Sequence, residues 1–110
     1  MKVTSKILMI NVEHQITVGN NDAITATVIH QVCLSEGKNG DVEADVDFID
    51  ITDVEFLGIK IGDSYTEYKK FKSQLSEMGI DVDALIDEAC VGIITTGDIQ
   101  KLKNQYSNIF

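Results

Sequence analysis

Arginine is absent from this chain, in which all nine basic side chains are lysines. Arginine supplies the planar, bidentate fork that proteins use most often to contact phosphates and base edges. The 18 acidic residues outnumber the lysines and give a formal net charge of −9. Because affinity for nucleic acid comes largely from neutralised phosphates, we expect no direct binding to DNA or RNA and no attraction to an anionic membrane surface.

Long apolar runs, proline and tryptophan are also missing, and only two cysteines are present. The longest apolar run, Ile7–Ile10, is far shorter than the ~20 residues of a membrane span. The N-terminal segment lacks the apolar core of a signal peptide, and the cysteines lack the spacing of a disulfide framework. The 15 isoleucines and the all-lysine basic set are typical of a low-GC genome. We therefore expect a cytoplasmic protein of a bacterial or phage-infected cell.

The negative charge is concentrated in the middle third of the sequence. Residues 1–35 hold two acids and two lysines, and residues 68–110 hold six acids and five lysines. Residues 36–67 hold ten acids and only two lysines, so this segment carries −8 of the total charge of −9. This concentration of charge makes residues 36–67 the candidate functional segment.

Alternating apolar and polar residues predict strands over the first 62 residues. In the clearest case, Val42–Phe48, every second residue is apolar and the residues between are acidic. From Ile24 to Leu34 the apolar face also includes His30. The segment Lys2–Val12, which contains the apolar run, is expected to be an interior strand.

The connections between these strands are predicted from turn-forming residues. A turn is expected at Gly19–Asp22, and the Asn-Gly pair in Gly37–Gly40 is typical of a hairpin loop. A second turn is expected over Asp50–Asp53, followed by a return strand at Val54–Ile61 with a bulge at Gly58.

After residue 62 the pattern becomes helical. Ser64 begins a Ser-x-x-Glu capping box, Asp81 is a candidate N-cap, and Thr95–Asp98 opens a last helix. One apolar stripe contains Tyr68, Phe71, Leu75 and Met78. Val91–Thr95 fits either a short strand or a join between helices. The order of elements predicts a single α+β domain over 1–110: an antiparallel sheet of about four strands (residues 2–62) followed by two or three helices on one face.

The strand predicted around Val42–Phe48 is called the acidic strand. One face of it is expected to carry four acids in a row: Asp41, Glu43, Asp45 and Asp47. Residues two apart on a strand are roughly 6.8 Å apart, which makes the row about 20 Å long. Phosphates follow one another along a DNA strand at comparable intervals, so the row is suited to imitate nucleic acid before a basic cleft. The alternative is a solvated face that discourages aggregation at a sheet edge.

The predicted function is that of a non-enzymatic protein that binds a basic partner, such as a nuclease or another nucleic-acid-binding protein. In size and charge the chain resembles phage-encoded nucleic-acid mimics and the acidic immunity proteins of nuclease toxins. A homodimer is a further expectation, with Lys69, Lys70 and Lys72 as a counter-patch for the acidic strand. The candidate partner-binding residues are Asp41, Glu43, Asp45, Asp47, Asp50, Asp53 and Glu55.

Metal sites and nucleophiles are weaker interpretations. The segment Asp41–Thr52 offers alternate oxygen ligands, but Val46 and Thr52 stand where an EF-hand needs Gly and Glu. His30 and Cys33 form the single close pair of soft ligands, whereas a structural zinc needs four convergent ligands. On a strand these two side chains would point to opposite faces, which also argues against a His-activated Cys nucleophile. We therefore expect no metal and no cofactor.

Two further functions stay open. The first is an unrecognised enzyme or a small-ligand-binding domain, which would need a pocket between sheet and helices. Sequence motifs for nucleophile elbows, phosphate-binding loops, zinc proteases and dinucleotide binding are absent. A structural or chaperone-like assembly protein of a virion or secretion system would oligomerise through an apolar patch. Both alternatives predict tolerance of charge reversal on the acidic strand.

Overall fold

A computed structural model describes residues 6–37, 39–62 and 64–110 of the chain. It confirms the α+β class: a four-stranded antiparallel sheet, in the order β1-β2-β3-β4, is followed by three helices. The strands are β1 (Ile7–Val18), β2 (Ile24–Glu36), β3 (Val42–Phe56) and β4 (Ile59–Lys60), and the helices are α1 (Tyr65–Glu77), α2 (Val82–Cys90) and α3 (Thr96–Gln105). Within the described ranges no helix is long and apolar enough to cross a membrane.

The chain forms two compact units. The first unit comprises the described residues of 1–12, 29–49 and 94–110, and the second comprises those of 13–28 and 50–93. Each unit contains parts of β1, β2 and β3, with α3 in the first and β4, α1 and α2 in the second. The single domain expected from the sequence stays a prediction.

The core of the second unit lies between its sheet and two helices. Alternate residues of β2, from Ile24 to Val28, are buried on one face of the sheet. Phe71 and Leu75 of α1 pack in the same cluster, together with Val82 and Ile86 of α2. Burying each such side chain contributes roughly 1.5–3 kcal/mol, so this contact fixes both helices on one face of the sheet.

The helices begin where side chains cap them. The Ser64 hydroxyl accepts a hydrogen bond from the Glu67 backbone N–H at 3.1 Å, and the Asp81 carboxylate accepts one from the Ala84 N–H at 3.1 Å. At α3, Thr95 and Asp98 form a reciprocal capping box. These local signals were readable in the sequence because an N-cap needs only a short polar side chain followed by a helical pattern.

In the first unit, one face of β2 is fully buried. Val32 and Leu34 have no exposed surface, and His30 is 6% exposed. Residues 94–110 also belong to this unit. Among them, Ile99, Leu102 and Tyr106 are half-buried. Residues 94–110 are therefore the helical part of this unit, and they cluster with its strands.

Two details of the sequence interpretation are wrong, and one open choice is resolved. The strand expected to be interior is β1, which lies at the edge of the sheet. Met78 is 69% exposed and does not continue the buried stripe of α1. The segment 91–95 contains turns and bends between α2 and α3, so the open choice there resolves to a join between helices.

The turn expected over Asp50–Asp53 is also wrong, since β3 runs on to Phe56 and the chain reverses at Leu57–Gly58. Ile51 and Val54 both pack in the core of the second unit, although they are three residues apart. Regular alternation would send them to opposite faces. The backbone of Asp53 (φ 52°) absorbs the extra residue as a bulge, and the strand continues.

Candidate partner-binding face

The acidic row (Asp41, Glu43, Asp45 and Asp47) begins immediately before β3 and continues along its first residues, entirely within the first unit. All four residues are exposed, whereas Val42 and Ala44 between them are half-buried. This difference follows the alternation of a strand and places the four carboxylates on one face. The general rise of a strand sets roughly 6.8 Å between alternate residues of this row.

A tight hairpin between β2 and β3 positions the row. The Gly40 N–H donates to the Gly37 carbonyl at 3.2 Å, and the Gly37 N–H donates to the Asp41 carbonyl at 2.6 Å. Gly40 has φ 79°, a conformation that glycine adopts without steric cost. A Cβ on Gly37 would lie 3.0 Å from Oε1 of Glu43, so the absence of a side chain there leaves room for that carboxylate.

The register of the hairpin identifies the neighbours of the row. Gly37 pairs with Asp41, and the rings of His30 and Phe48 meet edge to face at 5.5 Å. Both contacts fit one antiparallel register, in which Cys33 lies opposite Asp45. Gln31, Cys33 and Ser35 are all half-buried. The acidic row therefore borders neutral side chains on β2, and none of these supplies a compensating positive charge.

Three candidate residues, Asp50, Asp53 and Glu55, belong to the second unit. The Asp50 carboxylate accepts a hydrogen bond from the Ile51 N–H at 2.8 Å. Asp53 is exposed at the bulge, and half-buried Glu55 pairs in register with Lys60 of β4. These three carboxylates follow a distorted strand and one faces a lysine, so they lack the regular spacing of the acidic row. Their role in binding stays a prediction.

His30 and Cys33 do not converge on a common point. His30 lies on the buried face of β2, packed against Phe48, whereas Cys33 is half-buried on the opposite face. The expectation that strand geometry separates them is confirmed. Among the described residues no three or more His, Cys, Asp or Glu side chains are grouped so as to hold a metal ion.

The other cysteine, Cys90, is a poor nucleophile in this fold. Burial raises the pKa of its thiol, and the nearby negative charge of Asp87 raises the pKa further. The reactive thiolate is therefore disfavoured at neutral pH.

A cluster on α1 and α2 was not anticipated from the sequence. The Lys72 ammonium lies 3.2 Å from the Asp83 carboxylate and 4.9 Å from the centre of the Tyr68 ring. Burial, with a smaller contribution from Asp83, raises the pKa of Tyr68 to about 12. Lys72 is thus engaged within its own unit, which weakens the expectation of a lysine counter-patch for a second copy of the chain.

The sequence also failed to anticipate apolar exposure beside the acidic row. Val46, Phe48 and Ile49 are 38%, 48% and 45% exposed. Alternation predicts burial for Val46 and Phe48, but the sequence does not show how far the covering segment extends. These side chains give the start of β3 an apolar surface as well as a charged one.

The second unit has a shallow depression of about 500 Å³ on its sheet. Thr17, Thr25, Thr27, Asp53 and Lys60 are among the residues that line it. It is open and mainly polar, unlike the enclosed apolar pockets that usually bind small ligands.

Comparisons of the chain with protein-family models, with curated proteins and with solved structures find no match.

Proposed function

We propose that the protein is a non-enzymatic inhibitor that binds the basic cleft of a nucleic-acid-binding protein through the acidic row. The exposure of Glu43, Asp45 and Asp47 at alternate positions of one strand is the observation that carries the proposal. A nuclease or another defence enzyme of a bacterial or phage-infected cell would be the target, and the cytoplasm the place of action.

The physical basis is electrostatic complementarity. A cleft lined with lysine and arginine attracts an array of negative charges and accelerates the encounter. The carboxylates are fixed to a strand, so their spacing is set before binding and costs little ordering entropy on association. An occupied cleft excludes nucleic acid, which gives inhibition by competition.

The concentration of charge favours this role over simple solubility. The row carries like charges at short spacing, and such repulsion lowers stability. Solubility requires only a net charge, and the exposed acids on α2 also contribute to it. Repulsion among acids on a single strand destabilises the free protein. A basic partner that neutralises these acids explains their arrangement better than solubility does.

The test is capture of partners from a lysate of the source organism or its host, identified by mass spectrometry. The wild type is compared with the triple variant Glu43→Lys, Asp45→Lys, Asp47→Lys, which is called the row variant below. A matched control reverses three exposed acids of the second unit instead, Glu77, Asp87 and Glu88. Each reversal adds two charge units, so both variants change the formal net charge from −9 to the same value.

We expect the wild type and the control to retain a nucleic-acid-binding protein and the row variant to lose it. Equal capture by all three chains, or recovery of the protein's own copies alone, would contradict the proposal. The second of these outcomes would support the assembly-protein alternative.

A further inference from the structure

Among the residues that the structure describes, the start of β3 has one strand neighbour instead of two. β2 lies on one side, and on the other β4 pairs with Glu55 and Phe56 at the far end of β3. Within the described residues, no strand pairs with the outer edge of Val42–Phe48. A free edge presents unpaired N–H and C=O groups and is a template for another strand.

The hairpin register determines which backbone groups point outward. The Asp41 carbonyl accepts from Gly37 of β2, and in an antiparallel pair every second residue makes such bonds. The residues of the acidic row therefore direct their N–H and C=O groups towards β2. Val42, Ala44, Val46 and Phe48 direct theirs away from β2, towards the free edge.

We infer that the basic partner docks by adding an extended segment to this edge of β3 as a further antiparallel strand. The inference rests on the proposed function and states how the same face recognises its target. Strand addition takes affinity from main-chain hydrogen bonds and specificity from alternate side chains. The positions of the acids and of the apolar residues specify what those side chains are.

The incoming segment has lysine or arginine at every second position. Residues of the partner opposite Glu43, Asp45 and Asp47 stand in non-hydrogen-bonded pairs, where Cα atoms are only about 4.5 Å apart and side chains are closest. Opposite charges at such cross-strand positions stabilise the pair. Basic residues there neutralise the three acids of the row that lie within β3.

The intervening residues of the segment are apolar. They stand opposite Val42, Ala44, Val46 and Phe48, on the face where Val46 and Phe48 are 38% and 48% exposed. A partner residue there removes exposed apolar surface from water. A second copy of this chain is disfavoured at this edge, because two acidic rows would meet as like charges.

The test uses a synthetic peptide as long as Val42–Phe48 in which lysine alternates with valine. Two versions carry backbone N-methyl groups, either on every valine or on every lysine, so charge and side chains stay the same. Only the valine N–H groups would donate to β3. A fluorescent label on each peptide reports its dissociation constant.

We expect the valine-methylated peptide to bind at least about tenfold more weakly than the lysine-methylated peptide, because each lost hydrogen bond contributes about 1 kcal/mol. Amide hydrogen exchange at Ala44 and Val46 should slow in the complex with the unmethylated peptide. The variant Val46→Pro, which removes one outward N–H and leaves the acids in place, should also weaken binding.

Equal affinity of the two methylated peptides would overturn the strand-addition mechanism. The proposed function would survive that result if the row variant (Glu43→Lys, Asp45→Lys, Asp47→Lys) still failed to bind the partner captured by the wild type. Failure of every peptide to bind, while the captured partner binds the wild type and not the row variant, would likewise overturn strand addition alone.

Discussion

Individual acidic residues in this protein serve different purposes, although the sequence presents them as one excess of charge. Asp81 caps α2 and Asp83 pairs with Lys72. Glu43, Asp45 and Asp47 lie exposed on a strand. A residue's charge alone therefore did not indicate its role, whereas its position relative to a helix start or a strand did.

The cap at Asp81 should be measurable as stability. Asp81→Ala removes the acceptor for the Ala84 N–H and is expected to lower the free energy of unfolding by about 1 kcal/mol. Chemical denaturation measures the change. Glu88→Ala, an exposed acid near the end of the same helix, is the control and should change stability much less, because it caps nothing at the helix start. An equal loss in both variants would contradict the capping role.

Tyr68 should make the fold sensitive to alkali. Its folded pKa is raised to about 12 from the ordinary value of 10.0, so the folded state holds this proton where the unfolded state releases it. The associated stability is complete below pH 10 and is lost as the pH rises towards 12. Tyr68→Phe should flatten this decline. The measurement is denaturation at a series of alkaline pH values.

At the scale of elements, local signals were predicted well and tertiary effects were not. The buried face of β2 and the caps of all three helices follow from residues close in sequence. The continuation of β3 through Asp50–Asp53 does not, because Asp and Thr in that segment are typical of turns. Packing of Ile51 and Val54 in the core cluster that also contains residues of α1 and α2 overrides that preference.

The bulge at Asp53 predicts a reversal of the usual glycine effect. In a regular strand glycine is less stable than alanine by roughly 0.5–1 kcal/mol, and we expect this order for Asp45→Gly against Asp45→Ala. At Asp53, with φ 52°, the left-handed backbone penalises a Cβ. Asp53→Gly should therefore have a higher free energy of unfolding than Asp53→Ala. The same order at both positions would contradict the bulge geometry.

Repulsion along the acidic row should be visible in the isolated protein. Asp45 stands between Glu43 and Asp47, so Asp45→Asn removes two repulsive contacts and should raise the free energy of unfolding by about 0.5 kcal/mol at low salt. The gain should shrink as salt screens the charges. Glu13→Gln, an exposed acid on β1 in a segment of balanced charge, should show little change. No gain at Asp45 would mean that the row is not under strain.

At the scale of the whole molecule, the sequence predicted the fold class and the location of the charge but not the surface beside it. The alternation of Val42–Phe48 predicted the acidic row. The exposure of Val46 and Phe48 depends on what packs on that face of the strand, which is a tertiary property. The combination of free edge, apolar side chains and acids is what the structure adds to the functional account.

The most direct test of the central claim is competition between this protein and nucleic acid for the captured target. A labelled oligonucleotide is bound to the target, and its apparent dissociation constant is measured at increasing concentrations of the protein. We predict that this constant rises linearly with the concentration of the wild type and of the control with Glu77, Asp87 and Glu88 reversed. It should not rise with the row variant. A ternary complex of target, oligonucleotide and wild-type protein, with the constant unchanged, would contradict the account.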